Sequence, residues 1–584
     1  MVCNVQGDNV TQYGFSVPRL LRPVVIAMLF WSATIGIAAA QVVPPSTQPG
    51  QLQQQFKPAP GPVPVKPPIS VQAPPPNAPP PGAENIKITL ENIEVAGATV
   101  YSAADFAPLT KPYLDHQITL VDLYRLADQI TAKYRADGYI LSRALVPAQR
   151  IDKVAHIDVV EGFVSEVHFQ GYQSSNIRYF GHKIMESRPL RASVLERYML
   201  LINDLSGVTG RAVLASSPMV EGGASLTIIA DQKEFDGSFT VDNRGTKYIG
   251  PIQFYAGAGV NIPGSDDRIA ARYITTPSIR ELQYGELSWT HPVGDNGLRL
   301  VLYGNVVHTR PQYTLSPFNV FSDGDEATAS LDYPLIRSRD QNLTMRGSFD
   351  LRDLTTVVNN DRSAAPSSED HLRVLRFAGT YDFADRFSGI NLATVEWSQG
   401  LQALGASAQN RAVPSRPHAQ SDFDKFRTEI SRQQSLAVIY PGLGFLAAAE
   451  GQITPRGPLP ASEQLGLGGS QYMRAYDPSD VTADNGWAAK GELQYNPPIP
   501  QFAATYLNTY QFYGFYEQGR VSRNVASVGS GALSDAGFGL RLAFLDHLSS
   551  DLTIAKPLSR DESVNLGEPH ARPWRFFFTV TAQF

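Results

Sequence analysis

From about Gly237 to Phe584 the chain runs as short segments of strict apolar–polar alternation between turn residues. No apolar run there reaches the 18 or so residues of a membrane-spanning helix. Between Ile252 and Ile262 the even positions are Ile252, Phe254, Ala256, Ala258, Val260 and Ile262; the odd ones are Gln253, Tyr255, Gly257, Gly259 and Asn261. Leu298, Leu300 and Leu302 alternate with Arg299, Val301 and Tyr303, and Phe538, Leu540, Leu542 and Phe544 with Gly539, Arg541 and Ala543. The last segment sets Phe576, Phe578, Val580, Ala582 and Phe584 against Arg575, Phe577, Thr579, Thr581 and Gln583. A period of two sends successive side chains to opposite faces of a strand.

One apolar, aromatic face and one polar or glycine face suit a closed sheet in lipid, where every amide must be paired without water. A soluble β-sandwich has the same period. Against it stand long strands, 25 Tyr and 28 Phe, the terminal phenylalanine and the lack of disulfides. The only cysteine is Cys3, which also excludes a zinc–cysteine site or a catalytic thiol for most of the chain. The expected fold is a transmembrane antiparallel β-barrel over residues 236–584. At about 22 residues for a strand with its connection, that length gives 16 strands, and 14 would also fit.

The first 235 residues divide into four stretches. Residues 1–40 are expected to hold a secretory signal: Arg19 and Arg22 precede the apolar Val24–Ile37, and Ala38-Ala39-Ala40 is a small-residue cleavage site. Residues 41–85 carry 15 prolines, which removes the amide donors a sheet needs and favours an extended tether. Within it Pro49-Gly50-Gln51-Leu52-Gln53-Gln54-Gln55-Phe56 is a glutamine-rich island, expected to be solvated or to form one or two helical turns, and the tether or this island is a candidate plug for the resting pore. Residues 86–161 have an α+β pattern. Ile86, Ile88 and Leu90 alternate, and Leu120, Leu123, Tyr124, Leu126, Ala127, Ile130 and Tyr134 follow helical spacing up to Asp137-Gly138. Tyr139–Val146 and His156–Val160 are read as strands. Residues 162–235 repeat this strand–helix–helix–strand–strand plan with little identity.

Two motifs then matter. Gly468-Gly469-Ser470-Gln471-Tyr472-Met473-Arg474-Ala475-Tyr476, followed by Asp484-Asn485-Gly486, resembles the long-loop signature of the Omp85 superfamily. Met473 stands where Val is usual and Ala475 where Gly is usual. Phe515-Tyr516-Glu517-Gln518-Gly519 is similar to its F-x-D-x-G strand motif, with Glu517 for Asp. Asp242-Asn243-Arg244-Gly245 resembles the start of the family's barrel. With the order signal, tether, two α+β units and barrel, the chain resembles the outer-membrane transporters of two-partner secretion, the hemolysin-activator and filamentous-hemagglutinin-exporter family.

That resemblance implies two periplasmic POTRA domains, a 16-strand barrel, and export of one large partner (adhesin, hemolysin or contact-dependent toxin) across the outer membrane. It also implies a lock in the lumen between Arg474 and Glu517, with Phe515, Gly519 and Tyr476 packed beside it. Gly468, Gly469, Asp484 and Gly486 shape the loop. Phe584 and Phe578 are expected to form the C-terminal signal read by the barrel-assembly machinery. Parity agrees independently: Gln511, Tyr513, Phe515 and Glu517 share one strand face, and a carboxylate facing lipid at mid-depth costs a few kcal/mol, so Glu517 points inward. In a wet lumen the pair is expected to add under about 1 kcal/mol.

No catalytic motif emerges: there is no G-x-S-x-G, no phosphate-binding G-x-x-x-x-G-K and no H-E-x-x-H. Asp266-Asp267 is read as a solvated turn. A net charge of −6 gives no reason for a nucleic-acid partner, and neither cofactor nor metal is expected. A barrel-protein insertase of the same superfamily and a diffusion porin are the competing functions. The insertase predicts more than two periplasmic repeats, and the porin gives the α+β units no purpose.

Overall fold

Each alternating segment hydrogen-bonds to its neighbour in sequence, antiparallel throughout, and the sixteenth strand returns to the first, leaving the barrel no edge. The computed structural model describes residues 43–57, 69–71, 78–217, 219–358, 366–407, 413–522, 531–545, 547–559 and 573–584. The expected signal lies outside them, as does much of the proline-rich tract. Strands run from eight residues in the first, Phe235–Asp242, to 17 in the sixth to eighth, Phe321–Arg337, Gln341–Val357 and Ser368–Ala384. Alternation places the faces as read: Ile252, Val260 and Ile262 are exposed on the outside, while Gln253 and Asn261 are buried on the inside. Sixteen strands, not 14, close the sheet.

The closing seam pairs Ser238 with Gln583 through to Asp242 with Thr579. Gly237 and the terminal Phe584 extend it with two backbone hydrogen bonds of 2.9 and 3.0 Å. The Phe584 ring packs over Gly237, where a Cβ would lie 2.3 Å from it and push the ring aside. The chain therefore rises from the periplasmic side in its odd-numbered strands and descends in the even ones.

In the first α+β unit, the helix Leu120–Ala136 starts on a capping box between Thr119 and Asp122 and buries Leu123, Leu126, Ala127, Ile130 and Tyr134 completely. Its sheet sets Asn92–Ala96 parallel to Val154–Val160, which pairs on its other side with Arg143–Leu145. The expected strand Tyr139–Val146 shrinks to those three residues. Tyr139 instead joins an aromatic cluster with Tyr101 and Tyr134, and the chain turns at Ser142, whose N–H donates to the Tyr139 carbonyl. The second unit runs strand Phe163–Gly171, helices Ser175–Glu186 and Ala192–Asn203, then strands Val208–Ser216 and Gly223–Gln232. Residues Ile69–Val71 of the tract add to its sheet edge, parallel to Ala212–Leu214.

That second unit docks under the barrel. The Arg337 guanidinium holds both Asp204 oxygens at 2.7 and 2.8 Å, and Tyr172 and Asn176 donate to Asp266 at 2.8 and 2.9 Å. Asp266 is thus buried rather than solvated as the sequence suggested, because its turn seats on the second unit. Arg337→Ala is expected to loosen the second unit's seat on the barrel without unfolding either, since one charged contact is lost while the Asp266 contacts remain. Paired spin labels on the exposed residues 175 and 296 should show a broadened distance distribution.

The glutamine-rich island is helical and buried, not solvated. Pro49–Phe56 is a helix with Leu52 and Phe56 buried inside the barrel against Ile249, Ile274, Leu282, Tyr284 and Val307. A proline at its first turn suits helix initiation, and the barrel wall supplies the apolar contact that eight residues in water lack.

Candidate functional site

The eleventh strand, Leu443–Ile453, and the twelfth, Asn485–Tyr495, are joined by residues 454–484, which fold into the lumen. A small hairpin, Leu465–Leu467 with Val481–Ala483, stiffens this loop. Its tip is a tight turn. A Cβ on Gly468 (φ +115°) would lie 2.0 Å from the Asp477 carbonyl oxygen, so only glycine fits; one on Gly469 (φ +105°) would lie 3.3 Å from Pro478 Cα. Left-handed backbone in the tip falls on Met473, with φ 61°, and Ala475 is free of it. Alanine at position 475 therefore imposes no backbone strain.

Arg474 reaches the wall. Its Nε lies 2.7 Å from Glu517 Oε1, its backbone N–H donates to Glu517 Oε2 at 2.8 Å, and its guanidinium lies 3.7 Å from the Phe515 ring centroid. Glu517 stands on the thirteenth strand, Leu507–Ser522, with its side chain inward. Gly519 gives the tip room: a Cβ would meet Leu467 Cδ1, Met473 Cε and the Trp487 carbonyl oxygen at 3.0 Å. Tyr476 donates to the Ser534 carbonyl at 2.9 Å and also bonds Ser559. Gly519→Val is expected to cost about 1–3 kcal/mol by overpacking, seen as a lower temperature of transition to the unfolded gel band.

Arg474 is 6% exposed and Glu517 fully buried, so the contact is dry, unlike the wet pair the sequence suggested. Sequence reasoning also missed half of the contact set. Glu492 on the twelfth strand takes Arg474 Nη1 at 2.8 Å and is gripped from behind by Arg541 at 2.6 Å. Asp535, opposite Glu517 in register, accepts the Ala475 N–H at 2.6 Å. Arg575 binds Asp477 at 2.6 Å and the Ala475 carbonyl at 2.9 Å. Strand parity offers a signal for Glu492 and Asp535, which face inward like Glu517, but it does not say which inward acid meets the loop.

Asp484 closes the loop's other end. It pairs with Arg416 at 2.6 Å and accepts the Leu459 N–H at 2.9 Å, while a Cβ on Gly486 would lie 2.8 Å from the Arg520 carbonyl oxygen. A third constellation was not anticipated: Glu463, on the loop's outgoing limb, is surrounded by Arg352 at 3.0 Å, Arg376 at 2.7 Å and Lys425 at 2.5 Å. The lumen helix rests on this limb. Gln51 donates to the Ala461 carbonyl at 2.7 Å and accepts from Ser479 at 2.8 Å; Gln54 bonds the Ser462 carbonyl. Gln53 reaches the wall at Asn305, 2.9 Å away, and Arg272 donates to the Phe56 carbonyl at 2.5 Å.

Phe578 and Phe584 are not brought together. Six residues apart on one strand, about 20 Å, Phe578 bonds Asn243 near the outer end while Phe584 lies exposed at the periplasmic end against Phe235. Among the described residues no group of three or more His, Cys, Asp or Glu is placed to hold a metal ion.

A closed sixteen-strand barrel with small α+β units at one end and a long loop tucked into its lumen defines the class of outer-membrane β-barrel transporters. The model of the haemolysin secretion/activation protein family ShlB/FhaC/HecB matches residues 225–542, over half of the chain, and the ShlB-type POTRA domain matches residues 88–162. The chain belongs to this family, which places it in the outer membrane with its POTRA region in the periplasm. The Heme/hemopexin transporter protein HuxB of Haemophilus influenzae is 23% identical over 481 residues, 80% of this chain and 82% of that protein. The Outer membrane transporter CdiB of Escherichia coli is 24% identical over 500 residues, 82% of this chain and 80% of that one. The solved structure of CdiB from Escherichia coli superposes with a TM-score of 0.69 at 21% identity, covering 86% of this chain and 92% of that one.

Proposed function

We propose that the chain exports one large secreted protein from the periplasm to the cell surface through its own lumen. The observation that carries this reading is the nature of what fills the lumen: a helix and a loop, tied to the wall by side chains rather than by sheet pairing. A pore blocked by movable pieces suits an unfolded polypeptide that passes once, and suits a freely diffusing solute poorly. Residues 86–161 and 162–235 act as tandem POTRA domains. They hold the partner as an extended strand, which takes the side of Val208–Ser216 by displacing Ile69–Val71, the segment paired there in parallel register. Folding of the partner outside supplies direction, since the outer membrane offers no nucleotide.

In this reading Arg474 and Glu517, with Phe515, Gly519 and Tyr476, lock the loop, and Pro49–Phe56 plugs the resting pore. Phe584, with Phe578 higher on the same strand, is what the barrel-assembly machinery reads when inserting the chain. The insertase alternative requires more than the two periplasmic repeats found among the described residues. Deleting the gene and comparing secreted and outer-membrane proteins tests the choice. Loss of a single large extracellular protein, with periplasmic accumulation or degradation of it, is expected. A general fall in outer-membrane barrels would instead assign an insertase.

A further inference from the structure

Glu463 differs from Arg474 in what its removal leaves behind. Of its three cations, Arg352 also pairs with Glu326 at 2.9 Å, and Arg376 with Asp350 at 2.6 Å and Glu396 at 3.6 Å. The wall at this place therefore carries three cations and three carboxylates of its own, and Glu463 enters a patch that is already balanced. The opposite wall is not. With Arg474 withdrawn, Glu492 keeps Arg541, but Glu517 faces Asp535 across the strand register and loses the only ion-pair partner it has within 4 Å among the described residues. Burying an acid without a partner is far costlier than vacating a neutral site.

We propose that Glu463 is a second positioning residue of the loop, a releasable latch that carries the lumen helix with it, while Arg474 is the fixed end about which the loop swings. The helix is tied to the releasable end because three of its polar bonds go to that limb, against two to the wall and one to Ser479. Gln51 and Gln54 bond residues 461 and 462, next to Glu463. The packing agrees, for a Cβ on Gly50 would lie 2.2 Å from Ser462 Cβ, so helix and limb touch without an intervening side chain. Gln452 and Lys425 add hydrogen bonds to the Glu463 carbonyl at 3.1 and 3.3 Å, and these too break when the limb departs. Swinging out this limb would empty the lumen beside the sixth to tenth strands and leave the tip on Glu517. A reversible seat needs a wall that stays largely satisfied when empty: here Arg352 keeps Glu326 and Arg376 keeps Asp350, and of the three cations Lys425 alone gives up its ion pair.

Hydrogen exchange read by mass spectrometry on the full-length, detergent-purified protein tests the latch without any cargo, so its failure is distinct from failure of the export reading. In Glu463→Gln, exchange in residues 459–467 and in 49–56 should quicken by at least about tenfold, as local opening becomes easier. Exchange in residues 470–476 should stay within about twofold of wild type. The coupled response of the helix, which does not touch the Glu463 side chain, is what a merely local packing role would not produce. Glu463→Asp, which keeps the charge, should restore much of the protection. Should Glu463→Gln not assemble into a heat-modifiable barrel, Lys425→Met decides. It removes the one cation of the three with no other ion pair and should quicken the same two segments. Unchanged exchange there, or equal acceleration across 470–476, overturns the proposal.

Discussion

Replacing Arg474 with alanine is expected to cut export of the partner to below a tenth of wild type while leaving the barrel assembled. The reasoning starts from burial. Glu517 and Glu492 lie inside the wall with almost no access to water, and Arg474 is the cation between them. Removing one member of such a buried set costs about 3–5 kcal/mol, mostly the penalty of a stranded carboxylate. That cost falls on the docked loop, because the sheet pairs of the twelfth to fourteenth strands do not depend on the arginine. The docked state thus loses a factor of about a hundred or more. Arg474→Lys is expected to rescue poorly: the backbone N–H still reaches Glu517, but the fork that holds Glu517 and Glu492 together over the Phe515 ring is gone. Immunoblots of partner in medium and periplasm, with heat-modifiability as the folding control, give the result. Normal export by a well-assembled Arg474→Ala protein would remove this residue from the mechanism.

Deleting residues 41–85 is expected to raise the time-averaged conductance of the protein in planar bilayers by at least about tenfold, the shift that 1.4 kcal/mol of lost docking energy would produce. The helix Pro49–Phe56 buries Leu52 and Phe56 in an aromatic pocket, with Phe56 and Tyr284 centroids 5.0 Å apart, and makes a polar bond from each of Gln51, Gln53 and Gln54. Fully burying a leucine and a phenylalanine is worth roughly 1.5–3 kcal/mol each, and with the glutamine bonds this works against a backbone ordering cost of about 1–2 kcal/mol per residue, which the proline in the first turn lowers. A single Gln51→Ala should show a smaller rise, since it cuts the bonds to both limbs of the loop. Unchanged conductance on deletion would discard the plug.

The barrel was legible because lipid enforces it. A strand with oil on one side and water on the other must alternate, and Ile252–Ile262 or the last nine residues do so without exception of consequence. The lumen was legible only where a motif named it. Arg474 and Glu517 could be paired through a resemblance and by parity, whereas Glu492 and Asp535 carry only the parity that turns them inward, and Glu463 carries no local mark. Which inward acid meets a loop depends on how residues 454–484 fold back, and that is decided by contacts hundreds of residues apart in sequence, such as Gln51 with Ala461. The island around Gln51 was misread for the same reason. Glutamines among prolines look solvated until a wall offers them partners. Asp266 was misread likewise, since its turn is exposed until the second unit docks on it.

The path of the partner is the central matter, and site-specific photocrosslinking to a stalled partner tests it most directly. Adjacent residues of opposite parity provide the control: Tyr303 and Gln494 face the lumen, while Leu302 and Leu493 face lipid, 41% and 51% exposed. With a partner arrested by a tightly folded C-terminal domain, crosslinks are expected from benzoylphenylalanine at 303 and 494 and not from 302 or 493. Crosslinks from the lipid-facing positions, or from the closing seam alone, would contradict passage through the lumen.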